Sequence, residues 1–489
     1  MQLKRPAVYR WLATVGYFPE CYVLPPCFVV TSYPSFGKVY CPHTAKKFPP
    51  KTSEYLQIHF PKTELTDRAF GIIDPEIHSD IANTIARNWK ALLKCIFHPK
   101  NQVVSYSFPI PLSSRRPGLV GPLRSGRLIY EFIEMAENDL AAISYRFRCI
   151  FKTDIKNFYP SIYTHSIPWA IHGKKFIRKP ENRHSYKFFG NRLDKLFQYA
   201  NDGCTNGVPI GPAVSDLIAE VVLSGVDRVL SKSLTDDVVV VRFKDDYRIL
   251  AKEEEDGRTV IKNLQSALKE YRLELNDDKT ECHAVPDGLF RSWVSQYHAA
   301  NPRPTSSYRF KRFREVCLSV VRIDRDNPGC GVIDRFLADM ITKKYKLRIG
   351  LHSRRLPQVL SLLLMLANLR TKAFPKVLAI IESALRSPFG KHHANDISDH
   401  LVRFLEPLCK RESENRYLIA WICYFLRANG LAGKLKAGGK WKFADPITKA
   451  VYTSRFTVFK ACRDFKVFQG VMTAAKRISM LEHLDIFKR

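Results

Sequence analysis

Acidic residues are scarce in this sequence, and several chemistries are missing from it altogether. Of 489 residues, 47 are Asp or Glu against 78 Lys or Arg, a formal net charge of +31. An excess of that size is not incidental to solubility and predicts a polyanionic partner, nucleic acid before membrane. No lipidation motif or basic amphipathic terminal anchor argues for the membrane. Long apolar runs are absent as well: "VLSLLLMLANL" at 359–369 is too short to span a bilayer. The opening "MQLKRPAVYRWLATVGYFPE" lacks a signal-peptide hydrophobic region and cleavage site. The 12 cysteines include no C-x-x-C pair, and Cys21, Cys27, Cys41 and His43 have the spacing of no standard zinc module. Free thiols in a reducing compartment are the expectation, and with them a soluble, cytoplasmic protein that uses no membrane.

What the chain does have is apolar mass. Hydrophobic residues make up 45%, enough for a large core and too many for global disorder. The length suggests roughly two to four domains. Residues 1–100 form a Pro- and aromatic-rich opening, "GYFPECYVLPPCFVV", followed by a helical pattern around "DIANTIARNWKALLKCIF". From 101 to 304 strand-like and helix-like segments alternate, which predicts an α+β or α/β core. "SYSFPIPL" and "CIFKTDI" read as strands. "GPAVSDLIAEVVLSGVDRVL" has a helical period through Val214, Leu217, Ile218, Val221, Val222 and Val226. "RTVIKNLQSALKEYRL" reads as an amphipathic helix with Val260, Leu264, Leu268 and Tyr271 on one side. Over 305–489 the strand signal fades into successive helical segments with short polar breaks. These predict stacked helix pairs in a solenoid-like layer, without a fixed repeat period.

Within the middle region, "VVVVRFKDDYRIL" places Asp245 and Asp246 between two runs of strong strand formers. Neighbouring strand residues point to opposite faces, so the two carboxylates cannot both be solvated on one outer face. Burying them is costly unless they are paired or bind a cation. A tight polar turn and a metal site are both consistent with that much. A third aspartate, Asp154 in "FKTDIKNFYPSI", also ends an apolar run. Three carboxylates brought together at strand ends would suit Mg²⁺, which takes a few carboxylates and leaves room for substrate phosphates. Two such ions can serve an in-line phosphoryl transfer. Between these aspartates, "NGVPIGPAVSD" turns through Gly207, Pro209 and Gly211 directly into a helix, where a backbone without Cβ obstacles can approach a nucleotide closely.

The order of these pieces carries a resemblance. Asp at a strand end, Gly-x-Pro-x-Gly-x-x-x-Ser into a helix, aromatic-x-Asp-Asp in a hairpin, then "LELNDDKTE" resembles the ordered motif set of reverse transcriptases over residues 101–300. "GYFPECYVLPP" and "TDIKNFYPSIYTHSIPWAIHG" look further like the bacterial abortive-infection and defence-associated members. "RFKDDYRIL" with "NDGCTNGVPIGPAVSD" is similar to the subgroup from two-polymerase antiphage systems. The resemblance implies a right-hand polymerase palm and fingers, with an all-α C-terminal domain in place of a thumb. It makes Asp154, Asp245 and Asp246 the catalytic, metal-binding triad for two Mg²⁺ ions, with Mn²⁺ as a substitute and the Ile155 carbonyl as a further ligand. Tyr159 matches the position that blocks a 2′-hydroxyl, Pro209 and Gly211 the segment under nucleotide and template, and Lys279 a lysine near the triphosphate. Arg124, with Arg115, Arg116 and Arg127, is offered for triphosphate or template by "LSSRRPGLVGPLRSGRLIYEF". The implied partners are dNTPs, a DNA product, a structured non-coding RNA, and a companion reverse transcriptase or higher oligomer.

Two departures accompany the match. Phe243 stands where a tyrosine is usual, and Lys244 occupies a position where small or apolar residues are usual. No RNase H-like or integrase-like region follows. The expectation is an RNA-directed DNA polymerase. A template-independent or protein-primed polymerase and a non-catalytic nucleic-acid scaffold are the alternatives.

Overall fold

The computed structural model describes residues 3–42, 51–62, 66–110, 137–302, 304–305, 307–437, 441–459, 463–472 and 479–484, with the backbone of two short paired strands, Arg116–Pro117 and Pro122–Leu123. Near the start, β1 (Leu56–Pro61) and β2 (Asp67–Ile72) form an antiparallel ribbon. Helix α1 (Pro75–Arg87) follows; the Asp74 side chain accepts from the Glu76 and Ile77 amides and Pro75 needs no amide partner, so both devices start the helix there.

A five-stranded sheet organises the middle of the chain. Its members are β3 (Val104–Ser105), β4 (Cys149–Ile155), β5 (Val238–Phe243), β6 (Asp246–Ala251) and β7 (Leu275–Ala284), in spatial order β3-β5-β6-β4-β7. All pairings are antiparallel except β3 with β5. Interior strand β5 carries four consecutive valines, as a strand covered on both faces does. Of the described residues of "SYSFPIPL" only Ser105 lies in a named strand, Val104–Ser105; Pro109 further on has no amide to give a ladder.

Four helices position this sheet. Between β4 and β5 lie α2 (Ser166–His172), α3 (Phe189–Tyr199) and α4 (Ala213–Leu230); α5 (Glu254–Glu270) follows β6. Helix α5 buries Val260, Leu264 and Leu268, with Tyr271 at its end, so the apolar stripe legible in the sequence is the packed one. Gly257 is required there: a Cβ would lie 2.0 Å from the Phe151 ring of β4. The opposite face of the sheet holds a smaller cluster that includes Tyr106, Ile150, Val241, Phe243 and Leu250.

Beyond residue 310 the named elements among the described residues are helical. They include α6 (Phe310–Asp326), α7 (Leu356–Leu369), α8 (Phe374–Arg386), α9 (Ala394–Cys409) and α10 (Glu412–Ala428). Pro357 and Pro375 stand in the first turns of α7 and α8, where a missing amide costs nothing. One apolar core runs from Val8 and Tyr17 through the sheet to Trp421, Phe425 and Leu484. The N-terminal segment is also stitched to the far end of the chain. Thr31 N donates to Lys466 O at 2.8 Å, Tyr417 Oη to Tyr22 O at 2.6 Å, and His483 Nε2 bonds Cys21 O at 2.9 Å. Among the described residues no helix is long and apolar enough to cross a membrane.

Candidate active site

The sheet brings the three aspartates to one end. Asp154 is the penultimate residue of β4 and pairs with Asn276 of β7. On its other side β4 pairs with β6 up to Thr153 opposite Tyr247, so the next step of that register sets Asp154 against Asp246. Asp245 lies in the two-residue turn joining β5 to β6. The first residue of that turn, Lys244, takes φ 51°, a left-handed conformation that side chains other than glycine adopt at a cost.

Asp245 and Asp246 hold a proton more tightly than ordinary carboxylates, chiefly because they are buried. Burial, with a smaller push from Asp154, lifts Asp245 above the usual carboxylate range, while Lys244 and Arg68 oppose the rise. Asp246 keeps a solvent-facing side, yet the surrounding protein and then Asp245 and Asp154 push it up to about 7. Asp154 Oδ1 is buried and has no hydrogen-bond partner, and Oδ2 accepts from Lys279 Nζ at 2.7 Å. A partnerless buried oxygen beside two mutually repelling carboxylates is the donor set a hard divalent cation fits. As placed, however, no three His, Cys, Asp or Glu side chains among the described residues close around a common point.

The other sequence-predicted residues surround this end of the sheet unequally. Ile155 is buried opposite Leu275. Asn157 turns the chain through φ 46° into the short helix Phe158–Ser161. Tyr159 lies in that helix with its ring buried, its hydroxyl donating to Asp216 Oδ1 of α4 at 2.5 Å. Lys244 Nζ reaches the same Asp216 oxygen at 3.3 Å. The cation that departs from the usual motif is therefore turned toward α4. Lys279 is exposed on β7 and bound to Asp154 rather than solvated alone.

The glycine turn is held by close packing. Gly211 takes φ 115°, and a Cβ there would lie 2.8 Å from Pro19 and 2.9 Å from the Phe70 ring. Pro209 abuts Gly71 of β2, and Gly71 N donates to Ile210 O at 2.8 Å. The ribbon β1–β2 is thus keyed to this turn, and it carries Arg68 within electrostatic reach of Asp245. Arg124, Arg115 and Arg127 lie outside the described residues, as does the side chain of Arg116.

Sequence reasoning missed the seat of the hairpin. Arg242 of β5 is buried, with Nε 2.9 Å from Asp227 and Nη1 2.8 Å from Glu220, both on α4. Those carboxylates hold the guanidinium firmly protonated. Tyr247 Oη donates to Asp227 at 3.1 Å, and Ser107 joins Glu220 to the Lys244 amide. An arginine inside a valine-rich strand, with two acids on one face of an apolar helix, was the available signal. Asp216 and Arg68 had none beyond their charge.

Residues 117–308 match the family described as Reverse transcriptase (RNA-dependent DNA polymerase). No curated protein sequence matches the chain. Among solved structures, an apo telomerase from Candida Tropicalis truncated from its C-terminal domain is 15% identical, covering 49% of this chain and 52% of its own, with a TM-score of 0.32. The apo Candida Tropicalis telomerase is 13% identical over 84% of this chain and 68% of its own, TM-score 0.32. A Candida albicans telomerase in complex with a telomeric RNA fragment is 12% identical over 69% and 62%, TM-score 0.27. This chain spans about half the length of the first of these. Overlap this loose carries no argument about function.

Proposed function

From a chain that carries a reverse transcriptase domain, the domain of RNA-directed DNA polymerases within the nucleotidyltransferase class, we propose the synthesis of DNA on an RNA template from dNTPs at the Asp154–Asp245–Asp246 site. The observation that carries the reading is the buried, partnerless Asp154 Oδ1 beside two carboxylates whose proton affinities are raised by burial and by neighbouring negative charge. In this reading the three aspartates, with the Ile155 carbonyl, hold two Mg²⁺ ions. Bound Mg²⁺ would neutralise the phosphates and favour the attacking hydroxylate. The residues of the chain do the positioning. The Arg242–Glu220–Asp227 network fixes the hairpin that presents Asp245 and Asp246. The Tyr159 ring, tied down by Asp216, walls the sugar side. Lys279 sets a positive charge beside Asp154 where a triphosphate would gather. The glycine turn lets backbone approach the base pair.

The motif likeness to defence-associated bacterial members supports an antiphage role with a structured non-coding RNA, and the charge of +31 supports a polyanionic partner. Extension assays with single dNTPs, with and without RNA, test the function. RNA-dependent incorporation is expected. Asp245→Asn should lower it by about 10²–10³-fold, while Mg²⁺ raises the melting temperature of the parent and not of the variant. Incorporation at the parental rate by Asp245→Asn would remove the site assignment. Incorporation independent of RNA would favour the terminal-transferase reading, and none at all the scaffold reading.

A further inference from the structure

A basic cavity lined by none of Asp154, Asp245 and Asp246 lies among the helices that follow β4. It is a cavity of about 730 Å³ bounded by the Tyr163–His165 loop, α2, the segment leading into α3, α3 itself and the C-terminal end of α5. Six cations line it: Lys174, Arg178, Arg183, Lys195, Lys269 and Arg272. Only Asp194 and Glu270 oppose them, and both Asp194 oxygens are already engaged. His165 Nδ1 lies 2.5 Å from one, and Gln198 Nε2 donates to the other at 2.7 Å. The Asp194 side chain is only 10% exposed and is hydrogen-bonded at both oxygens, so little of it faces the cavity.

Aromatic rings alternate with these cations. The Arg272 guanidinium lies 4.2 Å from the Tyr163 ring centroid and Lys174 Nζ 4.8 Å from that of Trp169. Lys174 also donates to Glu270 O, covering a carbonyl at the end of α5 that would otherwise face an anion unfavourably. Arg178, Arg183 and Lys269 are exposed and make no ion pair among the described residues. Unpaired like charges gathered round one concavity repel each other, a cost that a polyanion removes.

We propose that this cavity binds a single-stranded polynucleotide, template RNA or DNA product. Cations take the phosphates, and rings and guanidinium planes take the bases. The volume falls within the ~300–1,000 Å³ of sites that enclose small ligands, which admits one strand and not a duplex. Its position suits a strand that also visits the aspartates. Tyr163 bridges to Asn206, next to the Gly207 turn, and Arg272 lies three residues before Leu275, which pairs with Ile155.

The test is oligonucleotide binding without Mg²⁺ or dNTPs, so that its result is independent of whether the aspartates catalyse. The probes are fluorescent oligoadenylates, RNA and DNA, and a blunt duplex, titrated against the full chain over a range of salt. Arg178→Glu/Arg183→Glu should weaken single-strand binding by more than about ten-fold and reduce the log–log salt slope by about 1.4, at ~0.7 per phosphate. Lys311→Glu/Arg314→Glu, an equal charge change on exposed residues of α6 that do not line the cavity, should move neither by more than about two-fold. A preference for RNA marks the template and one for DNA the product; either supports the proposal. Equal losses in the two variants, tighter binding of the duplex, or competition by AMP alone at the strand's own affinity would overturn it.

Discussion

Lys279 Nζ sits 2.7 Å from Asp154 Oδ2, a salt bridge between neighbouring strands, while the other oxygen of the same carboxylate is buried without a partner. The ammonium therefore stands as a cation beside a carboxylate that a metal would also claim. Lys279→Met should free Asp154 and raise the apparent Mg²⁺ affinity severalfold, read as the midpoint of the Mg²⁺-dependent rise in melting temperature. Nucleotide incorporation should fall by roughly ten-fold or more, since a charge near the triphosphate is lost. A midpoint equal to the parent's would show that lysine and metal do not compete.

Tyr159 separates a ring effect from a hydroxyl effect. Tyr159→Phe keeps the wall and should retain discrimination between dNTP and rNTP. It should cost about 1 kcal/mol of stability, because Asp216 loses a hydrogen-bond donor. Tyr159→Ala removes the wall and should relax discrimination by roughly ten-fold or more. Discrimination unchanged in Tyr159→Ala would move the gate to the adjacent Phe158, whose ring lies 5.2 Å away.

Arg242→Met should be among the most damaging single substitutions in the sheet. It strands the Glu220 and Asp227 carboxylates in the core, a loss of about 3–5 kcal/mol in urea unfolding. The triple variant Arg242→Met/Glu220→Leu/Asp227→Leu removes the charges together and should recover much of that loss. If the triple variant is less stable than the single one, the network contributes more than mutual neutralisation.

His78 supplies a pH dependence of stability that does not involve the three aspartates. It is buried against Tyr17 with Nε2 bonded to Leu12 O, and burial pushes its imidazole down to about 4. Between that value and the unfolded ~6.5, the unfolded chain binds the extra proton, so stability falls as pH drops through this window and is complete above it. His78→Gln should lessen the slope of the stability profile between those limits, leaving the share of His172, which burial also pushes down to about 4. An unchanged slope would assign acid sensitivity to other groups.

The sequence was most readable where one physical rule acted alone. The period of Val260, Leu264, Leu268 and Tyr271 depends only on burying one face, and α5 buries it. The Asp-Asp turn was legible because charges between valine runs need a special place. Reading failed where partners are distant. Nothing local to Arg242 names Glu220 and Asp227, and nothing near Lys244 says that its ammonium turns to Asp216. Helix α6 was hidden by its many charges, although Phe313, Val316, Cys317, Val320 and Ile323 form its buried stripe.

The stitching of residues 21–32 to residues 417–483 has a consequence for how the protein is made. Tyr22 and Tyr417 are 395 positions apart, and Cys21 and His483 are 462 apart. At ribosomal rates of about 5–20 residues per second, roughly 20–90 s pass between the emergence of one partner and the other. Through that interval the Pro- and aromatic-rich opening lacks its C-terminal partners, although Tyr17 can already meet His78 and Pro19 already abuts Gly211 of the glycine turn. The nascent chain thus carries an unfinished wall beside the glycine turn until translation nears residue 483. Chaperone capture should concentrate on that opening segment.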